Sequence, residues 1–582
     1  MSPRSTLAPL LRPVAMAAII SLVAVACGTS TVSPTAVTPS ANPGAASAST
    51  DTVLPPACEP GASARPAEPA AWWGDRTFYE VFVRSFADSN GDGIGDLRGL
   101  TLGLDYLNDG DPSTTSDLGV TGLWLMPVAQ SGSYHGYDVT DYEAIESDYS
   151  SAADFRALVS AAHARGIAVI VDLVINHTSS EHQWFQDALA GGVHHDWYVW
   201  SPTDPGWPNP IGGGDPWHSA DGGYDYGVFG DGMPDLNLRT PAVTAAVQRI
   251  AAFWLDEMGV DGFRIDAAKH LIEDGPDAQV NTPETHAWLA GFRGSVHADK
   301  PASLVLGEVA DGRFVSSGYT RDGSLDMAFD FDIGPSTATA VQIGDAASLL
   351  ANEGEIATSY PPGGAGTFLS NHDQPRIMSQ VHGDISAAEE AAAVLFTAPG
   401  VPFIYYGEEL GMLGTKPDEQ IRTPLPWTSS GPGFGFTTGT PWEPFSDGAA
   451  AANVATEAPD PTSLLTTYRD LITLRTQHPA LAVGTFLPVV ASSRKVAASV
   501  RVGRAEQLLV VQNLSTVPID AVQLDLASGP LCGSLAAHVL YASAGGPRSA
   551  AAPVITPDGG FASYIPVDEL PARSTVVIRL SP

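Results

Sequence analysis

The chain has 582 residues, and 28 Lys and Arg against 65 Asp and Glu give it a formal net charge of −37 at pH 7. Nucleic acids and anionic membrane surfaces bind basic patches, so this balance argues against both as partners and favours a neutral substrate. The hydrophobic fraction of 44% excludes general disorder, and the length is sufficient for several domains.

The N-terminal residues have the features of an export signal. Arg4 and Arg12 provide positive charge ahead of an apolar run, residues 14–26, which is too short to span a membrane comfortably. We predict a signal peptide over residues 1–26. Residues 27–71 are rich in Ser, Thr, Pro and Ala and lack a hydrophobic period, which predicts a disordered tether.

Cysteine positions bear on localisation. Cys27 follows Ala-Val-Ala and precedes Gly, a pattern that resembles a bacterial lipobox. We therefore expect an extracellular lipoprotein anchored to the cell surface only through Cys27, and monomeric; the alternative is an ordinary signal peptide cleaved nearby. Export permits a disulfide, and the sequence leaves open whether Cys58 and Cys532 pair.

A loop rich in oxygen-bearing side chains follows the first predicted strand. Residues 88–96 read Asp-Ser-Asn-Gly-Asp-Gly-Ile-Gly-Asp, which matches the opening of an EF-hand calcium loop. Gly99 stands where the bidentate Glu of a complete EF-hand belongs, so we predict a lone Ca²⁺ loop; the alternative is a polar turn. The predicted ligands are the side chains of Asp88, Asn90, Asp92 and Asp96 and the carbonyl of Ile94.

Strand and helix patterns then alternate along the chain. Buried apolar runs predict strands at residues 77–83, 122–127, 168–177, 262–266, 304–308, 325–331, 366–373 and 402–407. Amphipathic patterns predict helices that include residues 151–165, 241–258, 282–297, 386–397 and 463–475. Eight strand–helix units in one run predict a (β/α)₈ TIM barrel over residues 72–480.

Two regions depart from this alternation. Residues 178–234 are crowded with Gly, Pro, Trp and Tyr and are too long for an ordinary loop, so we predict an inserted irregular subdomain after the third strand. Residues 481–582 consist of short alternating runs, which predict a C-terminal antiparallel β-sandwich.

Three carboxylates stand at the C-terminal ends of predicted barrel strands: Asp266 on the fourth, Glu308 on the fifth and Asp373 on the seventh. Adjacent strands lie about 5 Å apart, which suits a retaining glycosidase, whose two carboxyl groups are about 5–5.5 Å apart. Arg264 shares a strand face with Asp266 and is expected to lower the pKa of that carboxyl and keep it ionised.

These stretches together resemble the motifs of the α-amylase family, glycoside hydrolase family 13. The matching segments, in family order, are residues 172–177, 262–266, 307–309 and 368–373, with a further short motif at residues 233–237. The resemblance covers about residues 72–582. The presence of both Lys269-His270 and the Met-Pro-Asp-Leu-Asn motif resembles secreted bacterial α-amylases of an intermediate subgroup.

The resemblance implies a role for each site residue. Asp266 would be the nucleophile, Glu308 the acid/base and Asp373 the stabiliser of the transition state. The implied substrate-binding residues are Tyr137, His177, Arg264, Lys269, His270 and His372. A second calcium site in the family would use Asn176 and the His270 carbonyl, with a third ligand from the inserted subdomain.

The implied activity is endo-hydrolysis of α-1,4-glucosidic bonds in starch or maltodextrins with retention of configuration. Alternatives within the family are an α-glucosidase, a cyclomaltodextrinase or a 4-α-glucanotransferase. A glycan-binding lipoprotein on an inactive barrel is disfavoured because all three acids are present. Trp427 and Trp442, near the long loop after the eighth strand, are candidate sugar platforms.

Overall fold

The computed structural model describes residues 71–220, 222–543 and 545–582. The predicted signal peptide, the lipidated Cys27, Cys58 and all but the last residue of the predicted tether lie outside the described residues. Cys532 is disulfide-bonded. No helix within the described residues has both the length and the apolar character needed to cross a membrane.

Eight parallel strands close into a barrel in which each strand pairs with its neighbours in chain order. The strands are β1 Phe78–Val81, β2 Gly122–Leu125, β3 Ala168–Leu173, β4 Gly262–Ile265, β5 Leu304–Gly307, β6 Met327–Asp330, β7 Ala365–Phe368 and β8 Val401–Tyr405. This arrangement confirms the predicted TIM barrel.

Helices surround the barrel. The longer ones are Ala152–Ala164, Pro241–Ala252, Pro283–Asp299, Arg313–Arg321, Ile333–Ile343, Ala346–Ser359, Ile385–Thr397 and Leu464–Gln477. Short helices are Val83–Phe86, Leu97–Leu102, Leu104–Leu107, Gln183–Leu189, Ile377–Gln380, Asp418–Ile421, Val454–Glu457 and Pro479–Val483. Two of them begin at serine caps: the side chain of Ser151 accepts from the Asp154 amide, and that of Ser463 from the Thr466 amide.

Several predicted elements extend too far. The prediction of a strand over residues 168–177 is wrong beyond Leu173, although Val174 and Ile175 are buried. Both residues belong to the main apolar cluster without joining the sheet, so the hydrophobic run is longer than the hydrogen-bonded strand. Likewise, the predicted helix over residues 241–258 ends as an α-helix at Ala252 and continues as the π-helical turn Phe253–Glu257.

The barrel interior is filled by large apolar side chains from alternate strand positions. They are Phe78, Trp124, Ile170, Leu304, Leu306, Met327, Phe329, Phe368, Val401 and Phe403. Phe78 and Phe403 stack with ring centroids 4.7 Å apart, and Trp124 lies 5.2 Å from Phe329. Because β-strand side chains alternate, Glu80 shares the inward face with Phe78, and Asp172 shares it with Ile170.

The insertion and the C-terminal region build on this frame. The insertion contains a three-stranded sheet formed by Trp200–Ser201, Trp217–Ala220 and Gly223–Tyr226. The strands of the main C-terminal sheet are β9 Thr485–Ala491, β10 Val496–Val502, β11 Gln507–Asn513, β12 Leu524–Leu526, β13 Ala536–Ala542, β14 Phe561–Tyr564 and β15 Ser574–Ser581.

These seven strands form an antiparallel sheet in the order β13-β15-β11-β10-β9-β12-β14. β9 pairs with β10 along its first part and with β12 at its end, so one strand belongs to both halves of the sheet. Residues of both halves share one apolar cluster. The predicted C-terminal antiparallel β-structure is therefore confirmed.

Truncation of an aromatic side chain in the barrel interior is expected to destabilise the fold. Phe329→Ala is expected to lower the free energy of unfolding by roughly 3–5 kcal/mol, because it removes a buried ring and leaves a cavity. Phe314→Ala is the matched control, since that side chain is 83% exposed and its loss should cost within about 0.5 kcal/mol. Urea unfolding followed by circular dichroism measures both; equal losses would contradict the packing described here.

Candidate active site

The fourth and fifth strands bring two acids together at the C-terminal end of the barrel. Ile265 pairs with Gly307 in the sheet register, so Asp266 and Glu308 follow directly at adjacent strand ends. The Glu308 amide donates to the Ile265 carbonyl at 2.9 Å. Ala267 has a left-handed φ of 48°, and its amide donates to Glu308 Oε2 at 3.1 Å.

Arg264 is the common partner of three carboxylates. Its Nη1 donates to Asp172 Oδ1 at 2.7 Å and to Asp266 Oδ1 at 2.6 Å. Its Nη2 lies 2.8 Å from Glu308 Oε2. The guanidinium is 1% exposed, so these contacts are little weakened by solvent.

The shared guanidinium changes the expected electrostatics. Burial raises the pKa of Asp266 well above its usual value; Arg264 opposes this rise, and the charges of Glu308 and Asp172 add to it. Burial also raises the pKa of Asp172 to about 6, again against Arg264. The prediction that Arg264 holds the pKa of Asp266 low is therefore wrong, because one cation is divided among three buried carboxylates.

The pKa of Asp373 is shifted in the opposite direction to that of Asp266. Its Oδ2 lies 3.1 Å from His372 Nε2, and its Oδ1 accepts from Arg422 Nη2 at 2.8 Å. Burial by itself raises the pKa of Asp373, but His372 and then Arg422 outweigh it, and the net pKa is lowered. Because the side chain is still 43% exposed, an ionised carboxylate faces the opening of the barrel.

Tyr137 connects this acid with the Arg264 cluster. Its hydroxyl lies 2.7 Å from His372 Nε2 and donates to Asp172 Oδ2 at 3.2 Å. Its ring stacks on His372 with centroids 5.6 Å apart and planes at 16°. The predicted residues Tyr137, Arg264 and His372 therefore lie in one network with the three acids.

His177 joins the network through Tyr137 rather than through an acid. Its Nε2 lies 3.1 Å from the Tyr137 carbonyl, and its Nδ1 lies 3.4 Å from Asn176 Nδ2. Burial lowers the pKa of His177 to about 4, so the ring is neutral at pH 7.

Lys269 and His270 lie beside the Glu308 strand end. Lys269 Nζ donates to the Ala310 carbonyl at 2.6 Å and is 3.8 Å from Asp311 Oδ2. His270 is 6% exposed and packs edge-on against Phe229, and burial lowers its pKa to about 3. Of the two, Lys269 is the more exposed to the opening.

The two candidate tryptophans differ in their surroundings. Trp442 stacks on Tyr134 with centroids 5.4 Å apart, and the Arg422 guanidinium lies 6.0 Å from the Tyr134 ring. Trp427 packs edge-on against Phe86 and donates its Nε1 to the Phe86 carbonyl at 2.8 Å. Trp442 is therefore next to the Asp373 side of the site, and Trp427 belongs to the surrounding core.

Comparison with known proteins agrees with this geometry. The family model described as "Alpha amylase, catalytic domain" matches residues 80–484. The chain belongs to the α-amylase family. Alpha-amylase 3 of Dictyoglomus thermophilum is 37% identical over 457 residues, covering 77% of this chain and 86% of the relative.

Other members of the α-amylase family similar to this chain differ in their named activity. Trehalose synthase/amylase TreS of Mycolicibacterium smegmatis is 33% identical, over 78% of this chain and 86% of the relative. The crystal structure of an alpha-amylase from H. orenii is 38% identical with a TM-score of 0.75, covering 87% of this chain and 99% of that one. The family resemblance is confirmed, and the chain is a family 13 enzyme.

The loop at residues 88–96 is tightly folded on its own backbone. Asp88 Oδ1 accepts from the Asn90 and Gly91 amides at 2.9 and 2.7 Å, and Asp92 Oδ1 accepts from the Ile94 amide at 2.8 Å. Asp96 is buried and caps the helix Leu97–Leu102 through the Gly99 amide. A calcium ion held by Asp88, Asn90, Asp92, Asp96 and the Ile94 carbonyl stays a prediction.

A second place has oxygens suited to a cation. Asn176 Oδ1 and Asp235 Oδ2 are both buried without a hydrogen-bond partner. Asp235 lies in the Met-Pro-Asp-Leu-Asn segment, which a bridge between His177 and Asp235 brings beside Asn176. No cluster of three or more His, Cys, Asp or Glu side chains suited to a metal occurs within the described ranges, so a cation here would also need amide or carbonyl oxygens. Hard oxygen donors of this kind fit Ca²⁺.

Four residues of the site have no role in the prediction from sequence: Glu80, Asp172, Asp235 and Arg422. Glu80 and Asp172 are acids on strands that are otherwise apolar and buried, which is the signal that marks them. Asp235 faces Asn176 only because the insertion folds back, through a bridge between His177 and Asp235. Arg422 reaches Asp373 from the loop after β8, and no sequence spacing indicates that contact.

Calcium dependence can be tested at both places. If the 88–96 loop binds calcium, EDTA is expected to lower the Tm, and Asp92→Asn to weaken calcium binding measured by isothermal titration calorimetry. Asp235→Asn reports separately on the Asn176 site, and Asp520→Asn is an exposed acidic control. A Tm that EDTA leaves unchanged in the wild-type protein would contradict both sites.

Proposed function

We propose that this enzyme is a retaining, endo-acting α-amylase that hydrolyses α-1,4-glucosidic bonds in starch and maltodextrins. The observation that carries the proposal is the placement of Asp266 and Glu308 at adjacent strand ends with Arg264 between them. Neighbouring strands are about 5 Å apart, which suits direct attack by one carboxylate rather than activation of water between two.

The proposed reaction has two displacements. The Asp266 carboxylate attacks the anomeric carbon while Glu308 donates a proton to the departing glycosidic oxygen, which leaves a glucosyl ester on Asp266. Glu308 then removes a proton from water, the water oxygen attacks the same carbon, and the ester bond breaks. Asp373, ionised and open to the cleft, accepts hydrogen bonds from sugar hydroxyls.

The contacts of Arg264 support an ionised nucleophile in this division of labour. Asp172, Asp266 and Glu308 surround one guanidinium, and burial disfavours three negative charges beside a single positive one. The bond from Arg264 Nη1 to Asp266 Oδ1 opposes the rise that burial causes in the pKa of Asp266, and so favours the carboxylate form of the proposed nucleophile. Glycoside cleavage requires one proton on the acid and none on the nucleophile.

Surfaces on both sides of the acids favour internal cleavage. Lys269 lies at the Glu308 side, where it bonds to the Ala310 carbonyl. The stacked pair Tyr134 and Trp442 lies at the Asp373 side, next to Arg422. Aromatic faces stack on sugar rings and a lysine donates to hydroxyls, so glucose units can be held on either side of the cleaved bond.

Chemical rescue separates the two acids. Asp266→Ala and Glu308→Ala are each expected to lose roughly 10³-fold or more in kcat on maltooligosaccharides. With azide and an activated glycosyl donor, Glu308→Ala should give the α-glycosyl azide, because azide attacks the ester on Asp266. Asp266→Ala should give the β-glycosyl azide by direct displacement. The same anomer from both variants would contradict the assigned roles, and proton NMR identifies the anomer.

The product profile tests the substrate. Maltoheptaose and starch are expected to give internal fragments of several sizes early in the reaction, since glucose units bind on both sides of the bond. Chromatography of early time points measures this. Glucose as the only early product would instead favour an α-glucosidase. Products longer than the substrate would favour a glucanotransferase. Faster hydrolysis of cyclodextrin than of starch would favour a cyclomaltodextrinase.

A further inference from the structure

His372 lies between two carboxylates, one at each ring nitrogen. Its Nδ1 is 2.5 Å from Glu80 Oε1, and its Nε2 is 3.1 Å from Asp373 Oδ2. The side chains of His372 and Glu80 are 1% and 2% exposed. A neutral imidazole has one donor nitrogen and one acceptor nitrogen, so it can bond to only one carboxylate. The other carboxylate would then face a lone pair.

We propose that Glu80 is a positioning residue of the active site, which holds His372 as a doubly protonated imidazolium and thereby holds Asp373 ionised and oriented for the sugar. Only the imidazolium donates to Glu80 and Asp373 at once. Beside a neutral ring, either the buried Glu80 or the partly exposed Asp373 would face a lone pair instead of a donor, which is the costlier arrangement. The part concerning the sugar rests on the proposed function.

The other groups around His372 are consistent with this charge. The Tyr137 hydroxyl also reaches Nε2, but it donates to Asp172 Oδ2, so it is free to accept from the ring. The edge-on ring of Trp124 is uncharged and 5.6 Å away. Asp172, from β3, adds a negative charge nearby. The cation Arg422 opposes the imidazolium but binds Asp373 Oδ1 and the His372 carbonyl rather than the ring.

The result is a row of alternating charges from Glu80 through His372 and Asp373 to Arg422. Burial alone lowers the pKa of His372, yet the two carboxylates raise it to about 9. The pKa of Asp373 is lowered in return, chiefly by His372. Glu80 itself lies on β1, whose side chains face the interior at alternate positions, and it never reaches the cleft.

Glu80→Gln tests the proposal, because the glutamine oxygen can still accept from Nδ1 while the charge is lost. In substrate-free protein labelled with ¹³C-histidine, the His372 signal, assigned from its absence in His372→Asn, is followed by NMR against pH. The wild-type ring is expected to remain protonated at pH 7–8. In Glu80→Gln it should titrate at least about one pH unit lower, a tenfold loss of proton affinity.

Kinetics provide the second measurement. Removing an anion lowers the pKa of His372, so the loss of kcat/KM in Glu80→Gln should be larger at pH 8 than at pH 6. The ratio to wild type cancels the pH effects that both proteins share. Glu390→Gln is the matched control, since Glu390 is a buried acid bonded to Thr575 far from the barrel opening, and it should leave both readouts unchanged.

Two outcomes would overturn the proposal. One is a wild-type His372 that is neutral at pH 7; the other is an unchanged His372 titration in Glu80→Gln. A kinetic loss equal at every pH, with unchanged titration, would make Glu80 a purely structural residue. Because the titration is read without substrate, it is independent of the proposed function, which fails instead if the wild-type enzyme does not hydrolyse starch.

Discussion

The active site depends on one buried cation. Arg264 is the shared partner of Asp172, Asp266 and Glu308, and its side chain is almost completely buried. Without it, three carboxylates would face one another in a buried space, where like charges repel strongly and each would need a proton. The guanidinium therefore permits the proposed nucleophile and acid to stand side by side, and it opposes the rise that burial causes in the pKa of Asp266 and of Asp172.

The row of charges from Glu80 through His372 and Asp373 to Arg422 also begins at an acid on a barrel strand. Glu80 from β1 and Asp172 from β3 both rise from the apolar interior, where Phe78 and Ile170 occupy the positions two residues earlier. The apolar layer below excludes water, which strengthens the contacts of Arg264 and of His372 above it. The Tyr137 hydroxyl contacts both Asp172 and His372, so the two rows meet at one side chain.

The sequence was sufficient for the barrel and for the strands that carry the acids, because each depends on local hydrophobic pattern and on chain order. It was not sufficient for the direction in which the pKa of Asp266 shifts, since that depends on how many carboxylates share Arg264 in space. The sequence also could not predict that Asp235 lies opposite Asn176 or that Arg422 binds Asp373, because these partners are 59 and 49 residues apart in the chain. The predicted strand over residues 168–177 is longer than β3, because a hydrophobic run shows which residues are buried but not which of them pair in the sheet.

Reaction and specificity are carried by different parts of the chain, but they are not independent. The acids stand at or just beyond strand ends, whereas Tyr134, Trp442 and Arg422 come from loops after β2 and β8. Related proteins named alpha-amylase and trehalose synthase share this family, as expected if loops set the product. Arg422 binds both Asp373 and Asp418 of its own loop, at 2.8 and 3.2 Å. A change in that loop would therefore move the charge that holds Asp373, so substrate preference and the proposed role of Asp373 are linked through Arg422.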